Sequence, residues 1–264
     1  LNLPPQYGDL VERTMEGLVL VVGVTGSGKS STLAAMIEHI NATRAENIIT
    51  VEDPVEYRFV PKKSIVSQRE IGIDVDGYPT ALRYIVREDP DVIFIGEMRD
   101  HDTVMAAVQA AETGHLVFGS MHTSDTMQAF SRILEFFPSH EHGFLRHSLS
   151  NTLKAVCAQR LLPAVDNFAG GKGGVVPACE ILMGTPTVRQ KIREGEDNDL
   201  PGVVGRCEEG MQSFTHALAE LVKKDWITVG TAMDYAPNRD ALSSVLKGVE
   251  VKSQGLVGRI KAAR

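Results

Sequence analysis

Cysteine is scarce in this chain: Cys157, Cys179 and Cys207 are the only three in 264 residues, widely spaced and with no C-x-x-C pair. That excludes a disulfide framework and a cysteine-based zinc module, and it reads as reduced thiols in the cytoplasm. Aromatic residues make up only 6%, with one tryptophan, and the formal charge is 27 − 34 = −7. No basic stripe interleaved with aromatic rings is present to stack bases, so no nucleic-acid partner is expected. Long apolar runs are missing too. The longest, around Leu18 to Val24, is far short of the ~20 residues that span a bilayer, and no basic leader precedes it. A membrane-spanning or secreted chain is not expected. What remains, 43% hydrophobic and 23% charged residues, is the composition of a globular domain large enough to fold without staples. The chain opens on Leu1 and not on a methionine, as expected of part of a longer protein.

From Gly17 to about Ser120, apolar runs of strand length alternate with helical stretches, the order of a mostly parallel sheet with helices on its faces. The spacing predicts strands at Leu18 to Val22, Ile48 to Glu52, Asp91 to Ile95 and His115 to Ser120. Helices are predicted at Lys29 to Thr43, Thr80 to Glu88 and Asp100 to Glu112. Beyond Thr123 the pattern turns helical, at Thr126 to Phe136 and Glu141 to Leu162, interrupted by a strand at Val175 to Leu182. Asn167 to Gly174, with four glycines in eight residues, reads as a loop. Helices are expected again at Thr187 to Glu194 and Thr215 to Lys224, followed by a basic tail from Lys252 to Arg264. No internal repeat is visible.

Gly23-Val24-Thr25-Gly26-Ser27-Gly28-Lys29-Ser30 fits G-x-x-x-x-G-K-[ST] directly after an apolar strand and directly before a helix. Glycines let such a turn aim its N–H groups at phosphate oxygens, and the helix presents its positive end to the same point. Lys29 would bridge the β- and γ-phosphates, and the Ser30 hydroxyl would hold Mg²⁺. A ligand-free glycine turn is the bland alternative, and the strand-loop-helix context counts against it.

Asp91 to Ile95 is followed by Gly96 and Glu97, which puts a carboxylate just past a strand end, at the sheet edge where open parallel sheets bind ligands. Glu97 could orient the Mg²⁺ shell, directly or through water. Glu52, Asp53 and Glu56 follow another strand, and a hydrolase needs one such carboxylate to polarise the attacking water. Spacing does not choose between Glu52 and Glu56. His115 opens one strand and His122 follows its end; neither has partners for a tetrahedral metal site, and either could bond a γ-phosphate or be structural. His140, His142 and His147 read as solvated.

The strings GVTGSGKSS, VEDPVEY, REDPDVIFIGEMRD, AETGHLVFGSMHT and GMQSF resemble the Walker A, Asp box, Walker B, His box and C-terminal motifs of the type IV pilus retraction ATPases, the PilT and PilU family. The resemblance runs from about Leu3 to Asp240. It implies a RecA-like P-loop core at residues 1–182, a helical C-terminal subdomain at 183–252, the tail at 253–264, and an N-terminal PAS-like domain that this chain lacks. It implies ATP and Mg²⁺ as cofactors. Gly23, Thr25, Gly26, Ser27, Gly28, Lys29, Ser30 and Ser31 would bind nucleotide; Ser30 and Glu97 would serve the metal. Glu56 would be the base, with Glu97, His115 and His122 completing the catalytic set. It further implies a homohexamer driving pilus retraction and twitching motility, at the cytoplasmic face of the inner membrane. A pilus platform protein and a paralogous retraction ATPase would be its partners. Activating arginines would come from the N-terminal domain, leaving Arg69, Arg83, Arg87 and Arg99 unassigned. Thr187 to Glu194 looks like the short helix this family needs for retraction as distinct from hydrolysis.

Three rivals share the core. Pilus assembly and type II secretion ATPases usually carry a tetracysteine module, which the cysteine spacing here does not allow. A RecA-like nucleic-acid motor lacks its stacking stripe. A nucleotide-binding scaffold that has lost hydrolysis sits poorly with Glu56 and Glu97 beside Lys29.

Overall fold

A computed structural model describes residues 1–166, 168 and 174–248. The chain begins with α1 (Gln6–Arg13), β1 (Gly17–Val22), α2 (Lys29–Thr43), β2 (Asn47–Glu52), β3 (Ile65–Glu70), α3 (Tyr78–Ile85), β4 (Val92–Ile95), α4 (His101–Glu112), β5 (Leu116–Met121) and α5 (Thr126–Glu135). It continues through α6 (His142–Thr152), β6 (Leu153–Pro163), β7 (Val175–Met183), α7 (Pro186–Glu194), α8 (Leu200–Val204), α9 (Phe214–Lys223), α10 (Val229–Tyr235) and α11 (Arg239–Leu246).

The strands form a seven-stranded sheet in the order β3-β2-β4-β5-β1-β6-β7. Every neighbouring pair is parallel except β6 with β7. All of β1, β4 and β5 is buried, because a parallel sheet is covered on both faces and its strands read as unbroken apolar runs. Alternation sorts the side chains. Val19 and Val21 pack with Tyr7, Leu10, Leu33 and Ile37 of α1 and α2 on one face. Leu18, Leu20 and Val22 turn to the other, where Val104, Val108, Phe130 and Leu149 of α4 to α6 lie. That second cluster runs on through Val188, Ile192, Phe214, Leu218 and Leu242, so the C-terminal helices share the sheet's core.

The predicted helix from Glu141 to Leu162 is corrected. It ends at Thr152, and Leu153–Pro163 becomes β6, wedged between β1 and β7. The stretch LKAVCAQRLLP carries no period that separates helix from strand, and the bonding edge of β1 decides for strand. The predicted helix at Thr80 begins two residues earlier, with Pro79 in the first turn where its missing N–H does no harm. Val175 to Leu182 extends by one residue, to Met183. Strand β3 and helix α1 carry no clear signal in the sequence. The expected loop at Asn167 to Gly174 lies outside the described residues apart from Phe168 and Gly174, and so does the tail from Lys252 to Arg264.

Cys157 and Cys179 are buried in adjacent strands; burial pushes the Cys179 thiol up to about 12. In α7, the side chains of Val188 and Ile192 are fully buried, as a two-sided helix requires.

Candidate active site

Four loops leave the same edge of the sheet, after β1, β2, β4 and β5, and they close on one cleft of about 230 Å³. Its walls include Thr25, Gly26, Lys29 and Ser30 from the first loop, Glu52, Asp53 and Glu56 from the second, Glu97 from the third and His122 from the fourth. Residues far apart in the chain thus meet because parallel strands end together, the general reason ligands bind at this edge.

The first loop is a tight turn. Gly28 caps α2 in the left-handed region at φ 87°, a conformation that suits glycine. Lys29 opens the helix with its side chain folded back over the loop: Nζ donates to the carbonyls of Gly23 at 2.8 Å and Val24 at 3.3 Å. Lys29 is 8% exposed. Burial lowers its pKa, while the charges of Glu97 and Glu56 pull it back upward. An ammonium in this position faces carboxylates and backbone oxygens, an environment that a phosphate would complete.

Glu52 and Glu56 are now distinguishable. Glu52 is buried, and its Oε1 accepts from Thr50 Oγ1 at 2.7 Å and Gln68 Nε2 at 3.1 Å; burial is the main cause of its raised pKa. Glu56 is exposed on the cleft wall. The neighbouring Tyr57 hydroxyl lies 2.7 Å from Ser31 Oγ, tying the loop that carries Glu56 to the start of α2.

Across the cleft, Glu97 Oε1 lies 3.6 Å from His122 Nε2. The chain there is braced by Ser120, whose hydroxyl donates to the Gly96 carbonyl at 2.5 Å and whose carbonyl accepts from Met98 N at 2.9 Å. Tyr78 contributes a buried hydroxyl with no partner among the described residues, and burial raises its pKa to about 12. Of the unassigned arginines, Arg99 lies 3.8 Å from Asp53 of the cleft wall; Arg69 pairs with Glu88 at 2.5 Å.

His115 is not brought to this cleft, which corrects the expectation that it senses phosphate there. It precedes the first residue of β5, so the six-residue strand, roughly 20 Å long, separates it from His122 at the other end. Its Nδ1 lies 2.9 Å from the Ala110 carbonyl and 3.0 Å from Thr113 Oγ1, and it lines a separate groove with Arg83 and Arg87. Ser27 and Gly28 are not among the residues that line the cleft and border hollows on the loop's other sides. The sequence reading missed Gln159, Thr32, Gln68, Tyr57 and Tyr78. Of these, Tyr57 lay inside a recognised motif; Gln159 fell in the stretch read as helix.

A glycine loop with its lysine, a strand-end acid and a second acidic loop at the edge of a parallel sheet define a P-loop nucleotide-binding protein. The model of the type II/IV secretion system protein family matches residues 6–214, and the chain belongs to that family. It is 42% identical over 233 residues to the type IV pilus retraction ATPase PilT of Pseudomonas aeruginosa, a match covering 87% of this chain and 66% of that one. It is 41% identical over 240 residues to a twitching motility protein of Neisseria gonorrhoeae, covering 90% of this chain and 63% of the other. Among solved structures, the pilus retraction motor PilT with bound ADP superposes with a TM-score of 0.83 at 44% identity, over 92% of this chain and 67% of that one. The Legionella pneumophila ATPase DotB matches with a TM-score of 0.76 at 28% identity, over 88% and 62%. The chain thus spans about two thirds or less of the length of these curated relatives. Among the described residues no helix is long and apolar enough to cross a membrane.

Proposed function

We propose that this chain is the motor core of a type IV pilus retraction ATPase, converting ATP hydrolysis into movement within a homohexamer. The observation that carries the reading is the convergence of Lys29, Glu56, Glu97 and His122 on one cleft, together with the likeness to PilT along most of the chain. The loop's N–H groups and Lys29 bind the phosphates. Glu56, exposed to the cleft, accepts the proton of the attacking water as its oxygen bonds to the γ-phosphorus and the bond to the ADP oxygen breaks. Glu52, held by Thr50 and Gln68, supports the strand end. His122, beside Glu97, bonds the γ-phosphate in this reading and reports its loss.

The residues present suit Mg²⁺. Ser30 and Glu97 offer hard oxygen donors in the same cleft, and no cluster of three or more His, Cys, Asp or Glu side chains able to hold a metal occurs among the described residues. Mg²⁺ characteristically takes one or two protein oxygens and completes its shell with substrate phosphates and water. When bound, it would neutralise charge on the phosphates.

Within the same reading, the hexamer works at the cytoplasmic face of the inner membrane, against a pilus platform protein and beside a paralogous retraction ATPase. Calorimetric titration with ADP and Mg²⁺ tests the core of it: the parent chain should bind, and Lys29→Ala should lose tight binding. A variant that binds as the parent does would contradict the assignment of Lys29.

A further inference from the structure

Directly behind the phosphate loop, in the strand the loop packs against, stands a side chain that the motifs do not include. Gln159 lies within β6 at 2% exposure, and it is not among the residues lining the cleft. Its amide makes two hydrogen bonds. Nε2 donates to the carbonyl of Ser27 at 2.8 Å, and Oε1 accepts from Thr32 Oγ1 at 2.8 Å. The orientation of the amide is set by chemistry, because a carbonyl can only accept, so the nitrogen must face Ser27.

The two partners straddle the working part of the loop. Ser27 is its penultimate turn residue and Thr32 sits in the first turn of α2, with Lys29 and Ser30 between them. One planar group thus spans the segment that the nucleotide reading assigns to phosphate binding. A third observation is steric. A Cβ on Gly28 would lie 2.8 Å from Gln159 Nε2, so the amide also occupies the space a side chain at Gly28 would need.

We propose that Gln159 is a positioning residue for nucleotide binding: by bracing Ser27 to Thr32 it holds the loop in its phosphate-receiving form. It acts through the loop and not by touching the reacting atoms. The inference rests on the reading of the cleft as a nucleotide site. Removing both bonds leaves the Ser27 carbonyl and the Thr32 hydroxyl without their buried partner, and the loop is then free to take other arrangements that bind phosphate less well. Two neutral hydrogen bonds together are worth on the order of a tenfold change in an equilibrium.

The test is calorimetric titration of the full chain with ADP and Mg²⁺, in the parent and in Gln159→Met, which keeps the length of the side chain and removes both polar atoms. The expected result is a Kd raised about tenfold with binding stoichiometry unchanged. A purely structural role would instead lower the stoichiometry, as some molecules unfold, and leave Kd as in the parent. That outcome overturns the proposal, as does a Kd within about twofold of the parent. If Gln159→Met does not fold, Thr32→Val decides: it removes one of the two bonds and should raise Kd about threefold, and an unchanged Kd would refute the brace. A parent that binds no ADP would overturn the nucleotide reading and this proposal together, whereas a binding parent with unaltered variants overturns the brace alone.

Discussion

Replacing Gly28 by alanine puts two separable loads on one residue. The first is backbone strain, because φ is 87° and an L side chain in the left-handed region costs about 1–2 kcal/mol. The second is crowding against Gln159 Nε2, 2.8 Å from the new Cβ. That nitrogen belongs to an amide pinned at both ends, so it cannot swing aside as a free side chain would, and overpacking of this kind costs about 1–3 kcal/mol. Gly26 supplies the control: its φ of 76° carries the same strain, but a Cβ there meets nothing within 4 Å among the described residues. Alanine also restricts the unfolded chain, returning about 0.4–1 kcal/mol in both variants. Gly26→Ala should therefore destabilise by about 1 kcal/mol and Gly28→Ala by about 2–4 kcal/mol. Urea unfolding of the parent and the two variants, monitored by circular dichroism, measures the difference directly. Equal losses would show that Gln159 yields without cost and that the pinned amide is not the obstacle described above.

Two further consequences concern the fold around the cleft. Glu180 is half-buried, accepting from Thr126 N at 3.1 Å and Thr126 Oγ1 at 2.8 Å, and desolvation raises its pKa above the ordinary glutamate value of 4.5. A carboxyl raised in the folded state stabilises relative to the unfolded chain at low pH and loses that contribution as pH climbs through the folded value. Glu180→Gln keeps an accepting oxygen and stays neutral, so its stability relative to the parent should improve from pH 4.5 toward neutrality; a difference in melting temperature that is flat with pH would refute this. In α7, Ile192 is fully buried, so Ile192→Asp should destabilise by about 3 kcal/mol or more and lower the melting temperature, which would be contradicted by a parent-like melt. A role of this helix in partner contact is then better probed at Thr187 and Gln190, which are exposed.

Much of the cleft was legible in the sequence because each of its motifs sits immediately after an apolar run. A run such as Leu18 to Val22, buried along its whole length, can only be an interior strand, and a parallel sheet brings the residues that follow such strands to one edge. Lys29, Glu56, Glu97 and His122 were reached in this way. His115 was assigned to phosphate sensing by the family resemblance, although it opens its strand, and the beginning of that strand lies at the far edge. Gln159 was hidden for a different reason. Its stretch has no period that tells helix from strand, and only pairing with β1 and β7 turns its side chain toward the loop. Spacing left Glu52 and Glu56 open, since both follow β2, and the family resemblance favoured Glu56; the structure separates the two by burial, with Glu52 held by Thr50 and Gln68 from two different strands.

The central claim is that this cleft hydrolyses ATP with the exposed carboxylate of Glu56 as base. The direct measurement is steady-state phosphate release at saturating ATP and Mg²⁺ by the parent and by Glu56→Gln, with nucleotide binding measured on the same samples. Glu56→Gln should bind ATP as the parent does and release phosphate at least ~10²-fold more slowly, the scale of a lost general base. Release at the parent rate would contradict the assignment, and the buried Glu52 would be the next carboxylate to test.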